Sequence, residues 1–297
     1  MKTTRHFLEI DDLSPDELTE VLNRSEQENL PECLSKKSVA LFFEKPSART
    51  SHSAEVAIMH LGGHPIYTRP EEVGIDTRET AEDAARLWSG YHAAIAARVF
   101  HHSVLERMAT HASIPVINLL SDDSHPVQAL ADLLTIRQEF GTIEGKTIAF
   151  IGDANNVAFS LAVGADQLGA HFVLSHPEEY GFNERAAEKL ASRNQKIESF
   201  TNPHDAVREA DVIYTDTWYS MGQEAESVER RDIFSAFQVN DELMAQAKPD
   251  AIFMHCLPAH RGEEATDSVL DGTQSRIWPQ AYNRMHTKRG LLSFLLE

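Results

Sequence analysis

Short apolar runs alternate with amphipathic stretches along most of the chain. Ser38–Phe43 is apolar and rich in sheet formers, and Glu44-Lys45-Pro46-Ser47 interrupts it. A helical pattern follows, with Val56, Ala57, Met59 and Leu61 among polar neighbours, ended by Gly62-Gly63, and Ile66-Tyr67 begin a second short strand. Residues 80–88 again have helical spacing, 95–100 and 114–117 read as strands, and 104–108 belong to a short helix between them. After Ser121-Asp122-Asp123-Ser124 comes His125-Pro126 and a helical run through Leu130, Leu133 and Leu134. Proline is acceptable there, because its missing N–H would lack an acceptor in the first turn.

A polar joint at 141–146 precedes the strongly apolar Thr147–Ile151, which places a domain boundary near 136–146. The second half repeats the alternation without an obvious short repeat. Strands are expected at 172–174, Val212–Thr215 and 251–255, and a helix at 284–295. Such alternation predicts α/β layers rather than a helical bundle. Gly152-Asp153-Ala154-Asn155-Asn156 follows the first strand of this half, where open α/β domains carry ligand loops. It has neither GxGxxG nor GxxxxGK[ST], which argues against dinucleotide and nucleoside-triphosphate sites.

Composition narrows the partners. The chain has 297 residues, 27 Lys+Arg and 46 Asp+Glu, for a formal net charge of -19; 42% of residues are hydrophobic and 25% charged. That is an ordinary globular balance with room for about two domains. The acidic field disfavours long contacts with nucleic acid or anionic lipid, although one basic pocket can still hold a small anion. No uninterrupted run of 18 apolar residues occurs, and the N-terminal residues do not resemble a signal peptide, so no membrane span is expected. Two widely separated cysteines, Cys33 and Cys256, give no disulfide framework, and cytoplasm is the simpler location. Fifteen histidines invite a zinc reading, yet they are scattered without HExxH, so no dedicated metal is expected.

Several clusters carry candidate chemistry, each with a plainer alternative. Ser47-Ala48-Arg49-Thr50 lies between a strand and a helix, where hydroxyls, backbone donors, the helix terminus and a guanidinium can surround a phosphate. The same run also reads as a helix cap followed by a solvated arginine. Arg98, at a strand end, offers another anion contact or a surface ion pair. His125 and Gln128, three positions apart on one helix, can meet a carbonyl oxygen and an amide, or serve as cap and polar surface. Asn155, Asn156 and Asp216 suit a zwitterionic ligand with an ammonium group, or turn and cap formation. Ser220 and Met221 give a small boundary nearby. His255-Cys256-Leu257-Pro258 follows a strand and raises a covalent-nucleophile reading for Cys256, though adjacent strand side chains normally diverge. Arg284 adds charge, or sits on a helix surface.

Taken together, Phe43-Glu44-Lys45-Pro46-Ser47-Ala48-Arg49-Thr50, His125-Pro126-Val127-Gln128, Asp216-Thr217-Trp218-Tyr219-Ser220-Met221-Gly222 and His255-Cys256-Leu257-Pro258 resemble the aspartate/ornithine transcarbamylase family. The likeness continues through Arg78-Glu79-Thr80, Gly152 to Asn156 and Asn283-Arg284-Met285-His286, and it covers nearly the whole chain. The first run points to the wider family; the later SMG and HCLP runs point to its ornithine branch.

This resemblance implies two doubly wound α/β domains with central, mostly parallel sheets. Residues 1–140 would bind carbamoyl phosphate, 141–278 would bind ornithine, and a helix at 279–297 would return to the first domain. It implies transfer of a carbamoyl group from carbamoyl phosphate to the ornithine side-chain amine, giving citrulline and phosphate without a cofactor or metal. Homotrimers, or assemblies of trimers, come with the family. On this reading Ser47, Ala48, Arg49, Thr50, Arg98, His125, Gln128, Cys256, Leu257 and Arg284 bind carbamoyl phosphate. Arg49, Arg98, His125 and Cys256 carry the catalytic assignments, and Asn156, Asp216, Ser220 and Met221 bind ornithine. Cys256 need not form a covalent intermediate.

The chain departs from the family's STRTR run, because Ala48 lacks a hydroxyl and Ser51 replaces a cation; weaker carbamoyl-phosphate binding is expected. Val127 stands where the family often has cysteine. The alternatives are a transcarbamylase for another amine acceptor, or a noncatalytic sensor or assembly protein that kept the fold.

Overall fold

The computed structural model describes residues 4–219 and 226–297, which form two compact units. One comprises Met1–Leu134 with Tyr282–Glu297, the other Thr135–Ala281. The division falls inside two continuous helices, Pro126–Phe140 and Ile277–Leu296. The C-terminal stretch therefore belongs to the same unit as the N-terminal half.

The first unit holds four parallel strands, β1 (Ser38–Phe43), β2 (His64–Thr68), β3 (Ala94–Arg98) and β4 (Val116–Leu120), in the order β2-β1-β3-β4. β1 and β3 are central and buried on both faces, which explains their continuous apolar runs. Strand alternation sends Ala40, Phe42, Ile95 and Ala97 to one face, where they pack with Ala84, Ala85, Trp88, Leu105 and Met108 from the Ala81–Ser89 and His102–His111 helices. Val39, Ala96 and Ile117 face the other way, toward Ala54, Ile58, Leu291 and Leu292. Those four come from the Ala48–His60 and Ile277–Leu296 helices, so this sheet is covered on both sides.

The second unit holds β5 (Thr147–Ile151), β6 (His171–Ser175), β7 (Glu198–Phe200), β8 (Val212–Thr215) and β9 (Ile252–His255), all parallel, in the order β7-β6-β5-β8-β9. Ala149, Ile151, Ile213 and Phe253 build its core with Val207, Leu243, Leu270 and Ile277.

In each sheet the chain runs outward in both directions from a central pair. Successive connections diverge between β1 and β3 in one sheet and between β5 and β8 in the other. Ligands in open α/β sheets bind beyond the carboxyl ends of such pairs. The loops in question begin at Glu44, Val99, Gly152 and Asp216.

Boundaries moved in physically interpretable ways. The helix expected after the Ser47–Thr50 run begins inside it, at Ala48, because Ser47 caps it by accepting from the Thr50 N–H. The last helix begins at Ile277, earlier than its apolar pattern suggested, with Pro279 in its first turn. The Pro15–Glu26 helix and β7 had no counterpart in the sequence reading.

Candidate functional site

The first unit gathers most of the cationic candidates. Ser47 caps the Ala48–His60 helix, and its hydroxyl lies 3.0 Å from Thr50 Oγ1. Arg284 Nη2 donates to Thr50 Oγ1 at 2.7 Å, so the C-terminal helix meets the first turn of this phosphate-like cradle. Arg98 ends β3 at a register irregularity, a bulge of the kind that re-aims a side chain. Thr50, Arg98, His125, Gln128 and Arg284 are all buried, whereas Arg49 is exposed, with no hydrogen bond or ion pair from its guanidinium among the described residues.

His125 precedes the Pro126–Phe140 helix, and its carbonyl accepts from the Gln128 and Ala129 N–H groups. Burial holds its imidazole well below the ordinary histidine range, reinforced by Arg284, Arg98 and Lys288. The ring is neutral near pH 7 and can offer one N–H without adding charge. Gln128 Nε2 donates to Asp132 Oδ1 at 2.8 Å. That bond fixes the amide, leaving its buried Oε1 with no hydrogen-bond partner among the described residues. A free acceptor beside a neutral imidazole suits a group presenting both NH2 and C=O.

Sequence reasoning missed Lys288, which is buried on the C-terminal helix and pushed well below the usual lysine range by desolvation, Arg284 and Arg98. The signal was available in its spacing, four residues after Arg284. Four basic side chains thus lie buried within mutual electrostatic reach. Two of them, Arg98 and Arg284, keep their charge at ordinary pH, and a buried pair of guanidiniums suits an anionic ligand.

The second unit builds a different constellation at its own divergence point. Asn155 caps the Asn156–Gln167 helix through Oδ1, which accepts from the Val157 and Ala158 N–H groups at 2.9 and 3.1 Å. Its Nδ2 donates to Asp216 Oδ2 at 2.8 Å. The other Asp216 oxygen accepts from the Thr217 N–H at 2.8 Å and the Cys256 thiol at 2.9 Å. Asn155 therefore serves as both cap and carboxylate positioner, with Asn156 beside it as the first residue of the helix. Ser220 and Met221 lie outside the described residues.

The Cys256-Leu257 loop is pinned from behind. His255 Nδ1 accepts from the Leu257 N–H at 2.9 Å, so Nε2 carries the proton and donates to Glu264 Oε1 at 3.1 Å. The His255 N–H donates to Gln280 Oε1 at 2.9 Å, and Gln280 Nε2 donates to the Tyr214 hydroxyl at 3.0 Å. Both His255 nitrogens are thereby occupied, and the thiol donates to a carboxylate. A thiol donating to a carboxylate and a histidine with both nitrogens engaged do not favour a thiolate at Cys256.

Among the described residues, two groups have ligand-type atoms close enough to share an ion: Asp216 with His255 and Cys256, and His260 with Glu263 and Glu264. In the first, the hydrogen bonds above already engage the His255 nitrogens, the thiol and the carboxylate. In the second, Glu263 pairs with Arg231 at 2.9 Å, and Glu264 accepts from His255.

Comparison with known proteins places these two sites in one context. The model of the aspartate/ornithine carbamoyltransferase carbamoyl-P binding domain matches residues 5–138, and that of the Asp/Orn binding domain matches 144–295. The chain belongs to the aspartate/ornithine carbamoyltransferase family. Its similarity runs to the ornithine members. It is 46% identical to an ornithine carbamoyltransferase of Pyrococcus abyssi over 303 residues, covering 98% of this chain and 96% of the relative. The structure of the Pyrococcus furiosus ornithine carbamoyltransferase superposes with a TM-score of 0.93 at 44% identity, covering 98% of this chain and 97% of that one. The Thermus thermophilus enzyme gives a TM-score of 0.90 at 40% identity, covering 99% of both chains.

Proposed function

We propose that the chain transfers the carbamoyl group of carbamoyl phosphate to the side-chain amine of L-ornithine, giving citrulline and inorganic phosphate. The observation that carries this reading is the buried basic cluster of Arg98, Arg284 and Lys288, with the neutral imidazole of His125 in their field, against the first turn of the Ala48–His60 helix. In a protein of net charge -19, such a cluster marks a dedicated anion site.

Ser47, Arg49, Thr50 and the backbone donors from Ala48 onward hold the phosphate, aided by the helix terminus. Arg98 and Arg284 neutralise the oxygens nearer the carbamoyl carbon. Neutral His125 donates to the carbamoyl oxygen, and Gln128 Oε1 accepts from its NH2 group. Asp216 holds the cationic end of the acceptor with Asn156, Ser220 and Met221, while Cys256 and Leu257 line the reacting end.

The neutral δ-amine attacks the carbamoyl carbon, a C–N bond forms and the C–O bond to phosphate breaks. One proton leaves the attacking nitrogen, and the departing phosphate is itself a competent acceptor. Negative charge on the carbonyl oxygen grows in the transition state, where donors fixed in advance act most strongly. Alignment supplies much of the remainder. Neither step asks Cys256 for a covalent bond.

The same reading includes a homotrimer, or an assembly of trimers, in the cytoplasm. Exposed Val56, Met59, Ile66 and Tyr67 support self-association, since they leave apolar surface on one helix and the edge strand β2 of the first unit. Sedimentation at several concentrations tests that arm.

The catalytic assignment is tested by supplying carbamoyl phosphate with ornithine and measuring citrulline and phosphate together. Equimolar appearance supports transfer, and phosphate alone means hydrolysis. No turnover by an oligomer that binds both substrates would overturn the assignment. Putrescine, lysine and aspartate as rival acceptors test the amine specificity.

A further inference from the structure

Lys288 lies four residues beyond Arg284, so the two side chains share one side of the C-terminal helix. It is only 3% exposed. Its stem lines a small apolar space with Val39, Ile58, Ala96 and Leu291. At the far end the ammonium donates to Ser53 Oγ at 2.8 Å and to the Arg284 carbonyl at 3.2 Å.

Both acceptors are uncharged. The charged groups that influence the ammonium, Arg284 and Arg98, have its own sign. A buried cation beside like charges is disfavoured, and a methionine would fill the same apolar space without that penalty. Stability alone therefore gives no account of a lysine here.

Its partners suggest one. Ser53 lies one turn beyond Thr50, and its hydroxyl also donates to the Arg49 carbonyl at 2.6 Å. Lys288 thus bridges the residue that reaches Thr50 from one helix and the turn that presents Arg49 and Thr50 on another. At position 51, where the family run carries arginine, this chain has Ser51, whose hydroxyl only donates back to the Ala48 carbonyl at 3.3 Å.

We propose that Lys288 is a positioning residue of the phosphate pocket. Its buried amino group ties Arg284 to the Ser53 turn and, protonated with the anion bound, supplies the positive charge that Ser51 leaves out of the STRTR pattern. The inference rests on the carbamoyl-phosphate reading above and extends it to a residue outside the motifs.

The test uses the full chain with Lys288→Met, which keeps the stem volume and removes the charge. Inorganic phosphate binding by calorimetry should weaken at least about tenfold, a change equivalent to ~1.4 kcal/mol. KM for carbamoyl phosphate should rise in parallel with a smaller change in kcat. The ligand-free Tm should stay level or rise, while the upward shift produced by phosphate shrinks. Adding Ser51→Arg to Lys288→Met should recover part of the affinity.

Unchanged phosphate affinity would overturn the proposal. So would a lower ligand-free Tm with the phosphate-induced shift intact, the signature of simple core support. Ser53→Ala is a second arm that leaves the core untouched, and it should weaken phosphate binding several-fold. No change there overturns the tie even if Lys288→Met does not fold. Lys288-dependent phosphate binding without citrulline formation would sink the transfer reading and leave this one standing.

Discussion

Gly290 is the point at which helix packing governs the anion site, and replacing it with alanine has a calculable result. A Cβ there would lie 2.3 Å from Ser25 Oγ, 2.7 Å from the Val21 carbonyl oxygen and 2.9 Å from the Ser25 nitrogen. The hydroxyl can rotate only by giving up its 2.7 Å bond to the Val21 carbonyl. The two backbone atoms belong to the Pro15–Glu26 helix and cannot yield separately. Arg289 holds the helices together by donating to the Glu28 carbonyl at 3.1 Å and also to the Gln27 carbonyl.

In an isolated helix, alanine is better than glycine by about 1 kcal/mol. Overpacking costs about 1–3 kcal/mol, and the strained serine bond adds roughly 1 kcal/mol. The net expectation is a loss of about 1–3 kcal/mol, which lowers Tm by several degrees for a chain of this size. Because Arg284 and Lys288 ride on the displaced helix, KM for carbamoyl phosphate should rise more than KM for ornithine. Thermal unfolding and steady-state kinetics on Gly290→Ala measure both. A variant as stable as the parent, or more so, refutes the packing argument.

Restoring the family run with Ala48→Thr and Ser51→Arg should tighten carbamoyl phosphate several-fold by calorimetry; an unchanged affinity removes any role for these two departures. Cys256→Ser keeps a donor toward Asp216, so turnover should fall by less than about tenfold, whereas loss of a true nucleophile would abolish it. The ligand-free protein should also lose stability as pH falls. His125 is depressed in the folded state, so the unfolded chain binds more protons below about pH 6.5, and the contribution is complete above that value and lost beneath it. Saturating phosphate, which favours the charged ring, should flatten that loss; parallel Tm-versus-pH curves with and without phosphate would contradict it.

The central strands were legible because parallel sheets bury both faces, and Ser38–Phe43, Thr147–Ile151 and Val212–Thr215 carry that demand in their composition. β7 was not, because a three-residue edge strand with exposed Glu198 and Ser199 takes its pairing from β6 rather than from its own sequence. The Pro15–Glu26 helix had a readable start in Ser14-Pro15-Asp16-Glu17, whose reciprocal cap forms. At the site, motif order identified Thr50, Arg98, His125 and Arg284 as candidates but not their burial, and burial is what turns them into an anion pocket. Arg49 differs, since its motif position says nothing of its exposure. Lys288 went unread because its apolar surroundings come from segments far apart in sequence.

The pocket's setting also affects how its ligand arrives. A doubly charged acyl phosphate approaching a chain of net charge -19 meets repulsion at long range and attraction only near the buried cations. The Debye length is about 10 Å at 0.1 M salt and about 30 Å at 0.01 M, so added salt removes the distant repulsion while leaving the short-range cradle mostly intact. Encounter with the anionic substrate is then faster in moderate salt than in dilute buffer. That is the reverse of ordinary electrostatic steering, and it makes ionic strength a gatekeeper of capture rather than of grip.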